Sequence, residues 1–418
     1  MKILVIGSGA REHAIVQSLL ADPVTESVVC APGNAGIALE VPTHPIDVKN
    51  SSAITQLAQE LAVDLVVVGP EVPLAHGAAD AVTAAGIACF GPLRDAAKLE
   101  ASKSFAKEIM VAAKVPTSHS YTCNNVAEVE KAMAEFGAPH VIKDDGLAAG
   151  KGVVVTNDPA VAIAHANECF SNQDGKVVVE EFLDGPEVSL FLLCDGKNVV
   201  PLQPAQDFKR VGNDDAGPNT GGMGAYSPLP WAQPDLVEQV VTKIGQPVID
   251  LMHERGTPFS GVLFVGLAIT SKGPKVIEFN ARFGDPETQV VLARLKTSLA
   301  GVLYAAATGK LNQLPPLEWS DDAAVTVVIA SEKYPDAPNL GDVISGLERA
   351  NSLPNVKVFH AGTANKDGEI VTAGGRVLSV TATGPDLKMA RARAYEAVGQ
   401  ISIRGSHFRT DIAQKAAN

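Results

Sequence analysis

The stretch "VIEFNARFGDPETQ", residues 276–289, holds the side chains most able to do chemistry. Glu278 and Asn280 stand two apart in a run that reads as a buried strand, so both point to one face, with Phe279 between them facing outward. A carboxylate beside a carboxamide at a strand end is a compact platform for a hard divalent cation, because magnesium takes one or two protein oxygens and leaves its other positions to water and phosphate. Arg282 follows as a fixed cation able to offset charge on a phosphoryl group in transfer. The competing reading is structural, an ion pair between Glu278 and Arg282.

Four further segments could serve phosphate chemistry. "IGSGAREH" is close to a GxGxxG fingerprint, whose glycines bring phosphates to a helix N-terminus. Glu12 stands in its third position and the next strand ends "VCAPG" without a ribose-binding acid, so a phosphate or sugar held by Gly9, Arg11 and Glu12, or a purely structural turn, fits better than a dinucleotide. "IKDDGLAAGKG" sets Lys143 before a glycine-rich turn carrying Lys151; it lacks the Ser or Thr of a Walker loop, yet either lysine could neutralise phosphate oxygens. "VVVEEFLDGPEVS" places Glu180, Glu181 and Glu187 around a turn, an extended segment able to bond an adenine edge through its backbone while an acid takes ribose hydroxyls, or else a solvated strand end. The loop "DFKRVGNDDAGPNTGGMGAYSP" (207–228) is too long for a mere connector. Its Lys209, Arg210 and the backbone of Thr220, Gly221 and Gly222 could face an anionic substrate.

Several elements must hold these groups in place. "KILVI", "SVVC", "DLVVVG" and "IACFG" are apolar on both faces and end at Gly or Pro, which predicts buried parallel strands of a doubly wound α/β domain with ligands at their carboxyl ends. One long helix is expected over 93–114. Strands at 140–146, 151–156, 176–183 and 187–196, with a helix near 158–169, predict a small α+β lobe able to close over a ligand. A helix near 234–255, strands at 261–270 and 275–280, a C-terminal antiparallel sheet and a helix near 385–401 complete the expectation.

The 418 residues suggest about three domains. With 46% hydrophobic and 19% charged residues the composition is that of an ordinary globular protein. A net charge of -13 argues against nucleic-acid or anionic-membrane surfaces, which demand a basic face. Five scattered cysteines without CxxC spacing suit a reducing, cytoplasmic setting, and neither a signal peptide nor a membrane span is expected.

Taken in order, "GSGAREHA", "APGNAG", "VGPEVPLAHG", "DGLAAGKG", "EEFLDGPEVS", "GPNTGGMGAYSP" and "RFGDPETQ" resemble the ATP-grasp superfamily and, within it, the phosphoribosylamine-glycine ligase family, over nearly the whole chain. The resemblance implies an N-terminal substrate-binding domain (1–101), an ATP-grasp domain (102–315) with a lid at about 121–188, and a C-terminal α+β domain (316–418). It implies a monomer joining glycine to 5-phosphoribosylamine with ATP, through glycyl phosphate, in purine biosynthesis, using magnesium or manganese and no nucleic acid or membrane partner. Glu278 and Asn280 become the metal ligands, and Lys103 and Lys143 the ATP-phosphate contacts. Glu180, Glu181 and Leu183 take the adenine side, Glu187 the ribose, and Arg282 with Lys143 the catalytic charge. Phosphoribosylamine is expected near Gly9, Asn34, Glu71 and Arg376. The chain departs from the family in a short "SNQDGK" loop (171–176), in Asp144 after the phosphate lysine, and in a strand "GVLFVGLAIT" without an acid for a second metal. The nearest alternative is an ATP-grasp ligase for another carboxylate and amine.

Overall fold

The computed structural model describes residues 1–147, 152–172 and 175–418, so Lys151 and part of the 171–176 loop lie outside the described residues. The four N-terminal runs form the expected parallel sheet of Lys2–Gly7, Ser27–Pro32, Leu65–Val68 and Ala88–Phe90, with the first strand between the second and third. Ile3 to Ile6 and Leu65 to Val68 are buried, as strands covered on both faces must be.

The expected helix over 93–114 is two helices, Arg94–Ala101 and Lys103–Ala112. Ser102 between them is extended, and its hydroxyl accepts from the Phe105 N–H as the second helix's cap, which competes with continued helix. The break makes Lys103 the first residue of a new helix at the cleft.

The small lobe differs from the expected one in its fourth strand. Ser120–Cys123, Val177–Glu180, His140–Asp144 and Val153–Thr156 form an antiparallel sheet in that order. Helices Val126–Phe136 and Pro159–Phe170 supply a separate small core with Met133, Ile142, Cys169 and Val179. Ser120–Cys123 gave no apolar signal because it is an edge strand with a half-exposed Tyr121. Glu187–Asp195 belongs instead to the central sheet, paired over nine residues with Ser260–Thr270, because Val188 to Cys194 are apolar enough for burial on both faces, Ser189 alone being polar.

That central sheet also holds Val199–Pro201 and Gly273–Asn280. The helix expected near 234–255 is Leu236–Val240, a π-turn over Val241–Gly245 and Gln246–Glu254; the wider turn precedes Pro247, which has no N–H to give. A five-stranded C-terminal sheet draws Gln206–Asp207 and Gly224–Ser227 from the central segment beside Ala323–Ala330, Arg376–Gly384 and Val356–His360, so the long loop is anchored at both ends. Thr363–Lys366 and Glu369–Thr372 form a separate hairpin, and Leu387–Val398 is the last helix. Among the described residues no helix is long and apolar enough to cross a membrane.

Candidate active site

A cleft of about 1460 Å³ runs between the small lobe, the central sheet and the long loop. Glu278 and Asn280 lie on it, opposite Gly266 and Phe264 of the neighbouring strand. The pairing slips by one residue at Gly266/Leu267, leaving Ile277 as a bulge immediately before Glu278. A bulge turns the next side chains and frees a carbonyl from the ladder, and the Ile277 carbonyl accepts from Lys143 Nζ at 3.0 Å. Phe279 points to the other face, as alternation requires, but that face is core and the ring is 3% exposed rather than outward-facing.

The Glu278 carboxylate has no hydrogen-bond or ion-pair partner among the described residues. Burial pushes its pKa up, but Lys209, Lys143, Lys103 and Arg282 pull harder, leaving it below the ordinary value and ionised. Among the described residues no three His, Cys, Asp or Glu cluster as a ready metal cage. One unpaired, ionised carboxylate beside a carboxamide fits magnesium, which expects phosphate and water at its remaining positions.

Arg282 does not pair with Glu278. Its guanidinium is held between Glu100, at 3.0 Å, and Glu71, at 3.4 Å, and donates a long bond to Asn280 Oδ1 at 3.3 Å. Burial lowers its pKa, but the two carboxylates outweigh that and raise it. Burial raises the Glu100 carboxyl, with Arg282 pulling back; its other oxygen accepts from the Ala281 N–H at 2.8 Å.

Lys143 is 3% exposed and meets Glu180 Oε1 at 2.9 Å; Lys107 meets Glu180 Oε2 at 3.0 Å. Burial pushes Glu180 up, and the two lysines bring it below the usual carboxylate range. Lys103 donates to the Gly146 carbonyl at 2.8 Å, and burial lowers its pKa against the pull of Glu278. After Glu180 the chain runs irregularly through Glu181 and Leu183 along the cleft, and among the described residues the backbone of Leu183 has no partner. Glu187 pairs with Lys209.

The remaining expected residues are less alike in setting. Glu71, Thr220, Gly221 and Arg376 line the cleft. Arg376 Nη1 donates to the carbonyls of Gly221 at 2.7 Å, Gly222 at 3.3 Å and Asp285 at 2.6 Å, which ties the long loop to the C-terminal sheet. Gly222 has a φ of 114°, a conformation that favours glycine, and its N–H donates to Thr220 Oγ1 at 3.0 Å. Gly9 and Asn34 are engaged elsewhere: the Gly9 N–H donates to Glu12, and the Asn34 amide donates to the carbonyls of Ser8 and His360. A Cβ at Gly7 or Gly69 would collide with the Glu12 side chain, so that side chain fills the turn where a dinucleotide's phosphates would sit.

Three residues went unread in the sequence. Lys107 had a signal, since four positions from Lys103 puts it on the same helix face. Glu100 had none beyond its charge. Arg409, 1% exposed, pairs with Asp215 and Asp411 and lies over the Phe208 ring, fastening the long loop to the C-terminal tail through contacts 194 residues apart in sequence.

Family models match the chain in three consecutive pieces: phosphoribosylglycinamide synthetase N domain at 1–100, ATP-grasp (A) domain at 101–288 and C domain at 324–415. A phosphoribosylamine–glycine ligase of Streptomyces coelicolor is 63% identical, with 100% of each chain covered. The crystal structure of a Thermotoga maritima phosphoribosylamine–glycine ligase superposes with a TM-score of 0.85 at 30% identity, over 99% of this chain and 100% of that one. The fold is also that of the biotin carboxylase domain of a Hydrogenobacter thermophilus 2-oxoglutarate carboxylase, bound to magnesium ADP and bicarbonate, at TM-score 0.73 and 17% identity, over 99% and 97%. With three family domains in sequence along its length, this chain belongs to the phosphoribosylglycinamide synthetase family of ATP-grasp proteins.

Proposed function

We propose that the chain joins glycine to 5-phosphoribosylamine at the expense of ATP, giving glycinamide ribonucleotide, ADP and phosphate in purine biosynthesis. The observation that carries this reading is the unpaired Glu278 carboxylate within electrostatic reach of Lys103, Lys143, Lys209 and Arg282. So many cations around one free acid suit a triphosphate and its metal ion.

A glycine carboxylate oxygen takes the γ-phosphoryl group, ADP leaves, and glycyl phosphate forms. The phosphoribosylamine nitrogen then attacks the acyl carbon, the C–N bond forms, phosphate departs and the nitrogen loses a proton. Glu278 and Asn280 would hold magnesium, or manganese in its place, which supplies charge neutralisation to the transferring phosphates. Lys103 and Lys143 position those phosphates, the open Leu183 backbone with Glu180 and Glu181 receives adenine, and Glu187 takes the ribose. Arg282, immobilised by Glu71 and Glu100, is preorganised for the charge that grows on the transferring group. Phosphoribosylamine occupies the end lined by Glu71, Gly221 and Arg376, backed by Gly9 and Asn34. An acyl phosphate hydrolyses in open water, and the small lobe gives the cleft its cover. The enzyme acts as a cytoplasmic monomer on small molecules alone.

The test is ADP release with Mg-ATP, glycine and phosphoribosylamine generated in situ, each omitted in turn. ADP formed only with all three supports the reading; ADP formed without phosphoribosylamine, or not at all, rejects the substrate pair.

A further inference from the structure

The small lobe, with its own core, is joined to the body by two chain crossings. The entering chain passes through Thr117, Ser118 and His119; the leaving chain is Glu180 and Glu181. The crossings bond to one another, with the Glu181 N–H donating to the His119 carbonyl at 2.9 Å and Ser118 Oγ donating to Glu180 Oε2 at 2.6 Å. Lys107, from the body helix Lys103–Ala112, reaches into this junction. Its ammonium donates to Thr117 Oγ1 at 2.9 Å and Ser118 Oγ at 2.7 Å on the entering side, and meets Glu180 at 3.0 Å on the leaving side. Thr117 Oγ1 in turn donates to the Val276 carbonyl at 2.6 Å, two residues before Glu278 on the metal-platform strand. One buried body cation thus holds both crossings of the lobe and the strand that carries Glu278.

We propose that Lys107 is a positioning residue that fixes the small lobe over the cleft by pinning both of its chain crossings, and that it supplies the second positive charge on Glu180, so that the Lys143–Glu180–Lys107 group keeps a net positive charge for the nucleotide's phosphates. The proposal rests on the ligase reading above. Glu180 needs one cation to be neutralised and has two. The surplus charge resides in the pair, and Lys143 is the one carried by the lobe's cleft-facing strand. Without Lys107, Glu180 would claim Lys143 as its sole counterion, and the lobe would lose its anchor on the body side. Burial draws the Lys107 pKa down to about 8 against the opposing pull of Glu180, so the ammonium is still charged at neutral pH.

The full chain is compared with Lys107→Met, Lys107→Arg and Ser118→Ala by calorimetric titration with Mg-ADP, by KM for Mg-ATP, and by ADP released per glycinamide ribonucleotide formed. Loss of charged hydrogen bonds at the junction should weaken Mg-ADP binding by about tenfold or more in Lys107→Met. The KM for Mg-ATP should rise alongside it, and the ADP-to-product ratio should exceed one as glycyl phosphate leaks from a poorly covered cleft. Lys107→Arg, keeping the charge, should recover most of the nucleotide affinity. A merely structural lysine would lower the melting temperature and leave all three readouts within about twofold of wild type, and that result in folded Lys107→Met overturns the proposal. If Lys107→Met does not fold, Ser118→Ala, which cuts the same junction with one hydroxyl, decides by the same readouts. Failure of the wild type to make product would reject the ligase reading, while the Mg-ADP titration would still decide the role of Lys107.

Discussion

The cleft contains two triads that mirror each other. On the small-lobe side one carboxylate, Glu180, stands between two cations, Lys143 and Lys107, so one positive charge is left over. On the N-terminal side one cation, Arg282, stands between two carboxylates, Glu71 and Glu100, so one negative charge is left over. A buried ion pair is weak support for stability, because removing charges from water costs about what their attraction returns. An unequal triad does something else: it holds a charge rigidly in place and leaves an imbalance for a ligand to correct. The lysine-rich side suits phosphate oxygens, while the acid-rich side suits a metal ion or ammonium group and keeps Arg282 from swinging away. Glu278 feels both, through Lys143 and Arg282.

Removing the acid between them should have the largest effect. Glu278→Ala should lose the metal and with it several kcal/mol of transition-state stabilisation, roughly a thousandfold or more in turnover, with melting temperature little changed because the carboxylate has no described partner to strand. Turnover near wild type at modest magnesium would show that the platform lies elsewhere. Arg282→Met should cost roughly a hundredfold in kcat, the typical loss of one preorganised charge partner. It should also raise further the pKa of Glu100, already pushed up by burial, so the variant should lose stability relative to wild type as pH rises above the ordinary carboxylate range. Glu100→Gln tests whether clamping matters as well as charge. It keeps an acceptor for the Ala281 N–H but halves the carboxylate hold on Arg282, and a drop in kcat of about tenfold with unchanged Mg-ADP affinity would place the effect at phosphoryl transfer. A loss of nucleotide affinity instead would mean that the two triads are not separate in function.

The two triads were also unequally legible in the sequence. Glu278, Asn280 and Arg282 stand close together at a strand end, and hard-ion chemistry makes such a group conspicuous. Lys143 and Glu180 each sit in a motif with glycine or a doubled acid. Glu71 lay in a crevice loop of the parallel sheet, where ligands are expected. Glu100 and Lys107 could not be assigned the same way, because their places depend on the break at Ser102 that ends one helix and starts the next, and a serine inside a helical pattern is ambiguous. The parallel strands were legible because burial on both faces leaves an unbroken apolar run. Ser120–Cys123 was not, since an edge strand with one wet face carries no such run, and its absence let the strand Glu187–Asp195 be grouped with the wrong sheet. The anchoring of the long loop by Arg409 was beyond reach for another reason: no local pattern announces a pairing across nearly half the chain.

A third buried polar cluster, whose histidine rings do not line the cleft although its Asn34 backs the proposed phosphoribosylamine end, offers the control for these triads. At the seam between the N-terminal domain and the C-terminal sheet, the His360 N–H donates to His13 Nδ1 at 2.8 Å, the His360 carbonyl accepts from Asn34 at 2.7 Å, and His360 Nδ1 lies 3.1 Å from Thr363 Oγ1. Because His13 Nδ1 accepts, its ring proton sits on Nε2, facing Glu40. Burial, with His13 adding to it and Glu40 opposing, lowers the His360 pKa from 6.5 to about 4. In the unfolded chain this imidazole takes a proton as pH falls through about 6.5, whereas in the folded chain it stays neutral until about 4. Between those values the unfolded state binds more protons, so the seam's contribution is present above about 6.5 and is lost as pH falls toward 4, by at most about 3 kcal/mol. His360→Phe keeps a ring against Gly36 and removes the titration. It should melt lower than wild type at pH 7.5, by the roughly 1 kcal/mol of the Thr363 bond, and the gap should close or reverse by pH 4.5. kcat at pH 7.5 should stay near wild type, since the seam carries no charge toward the cleft. A gap that stays constant with pH would mean that His360 takes up its proton at the same pH in the folded and unfolded chain, and a fall in kcat would join the seam to the site.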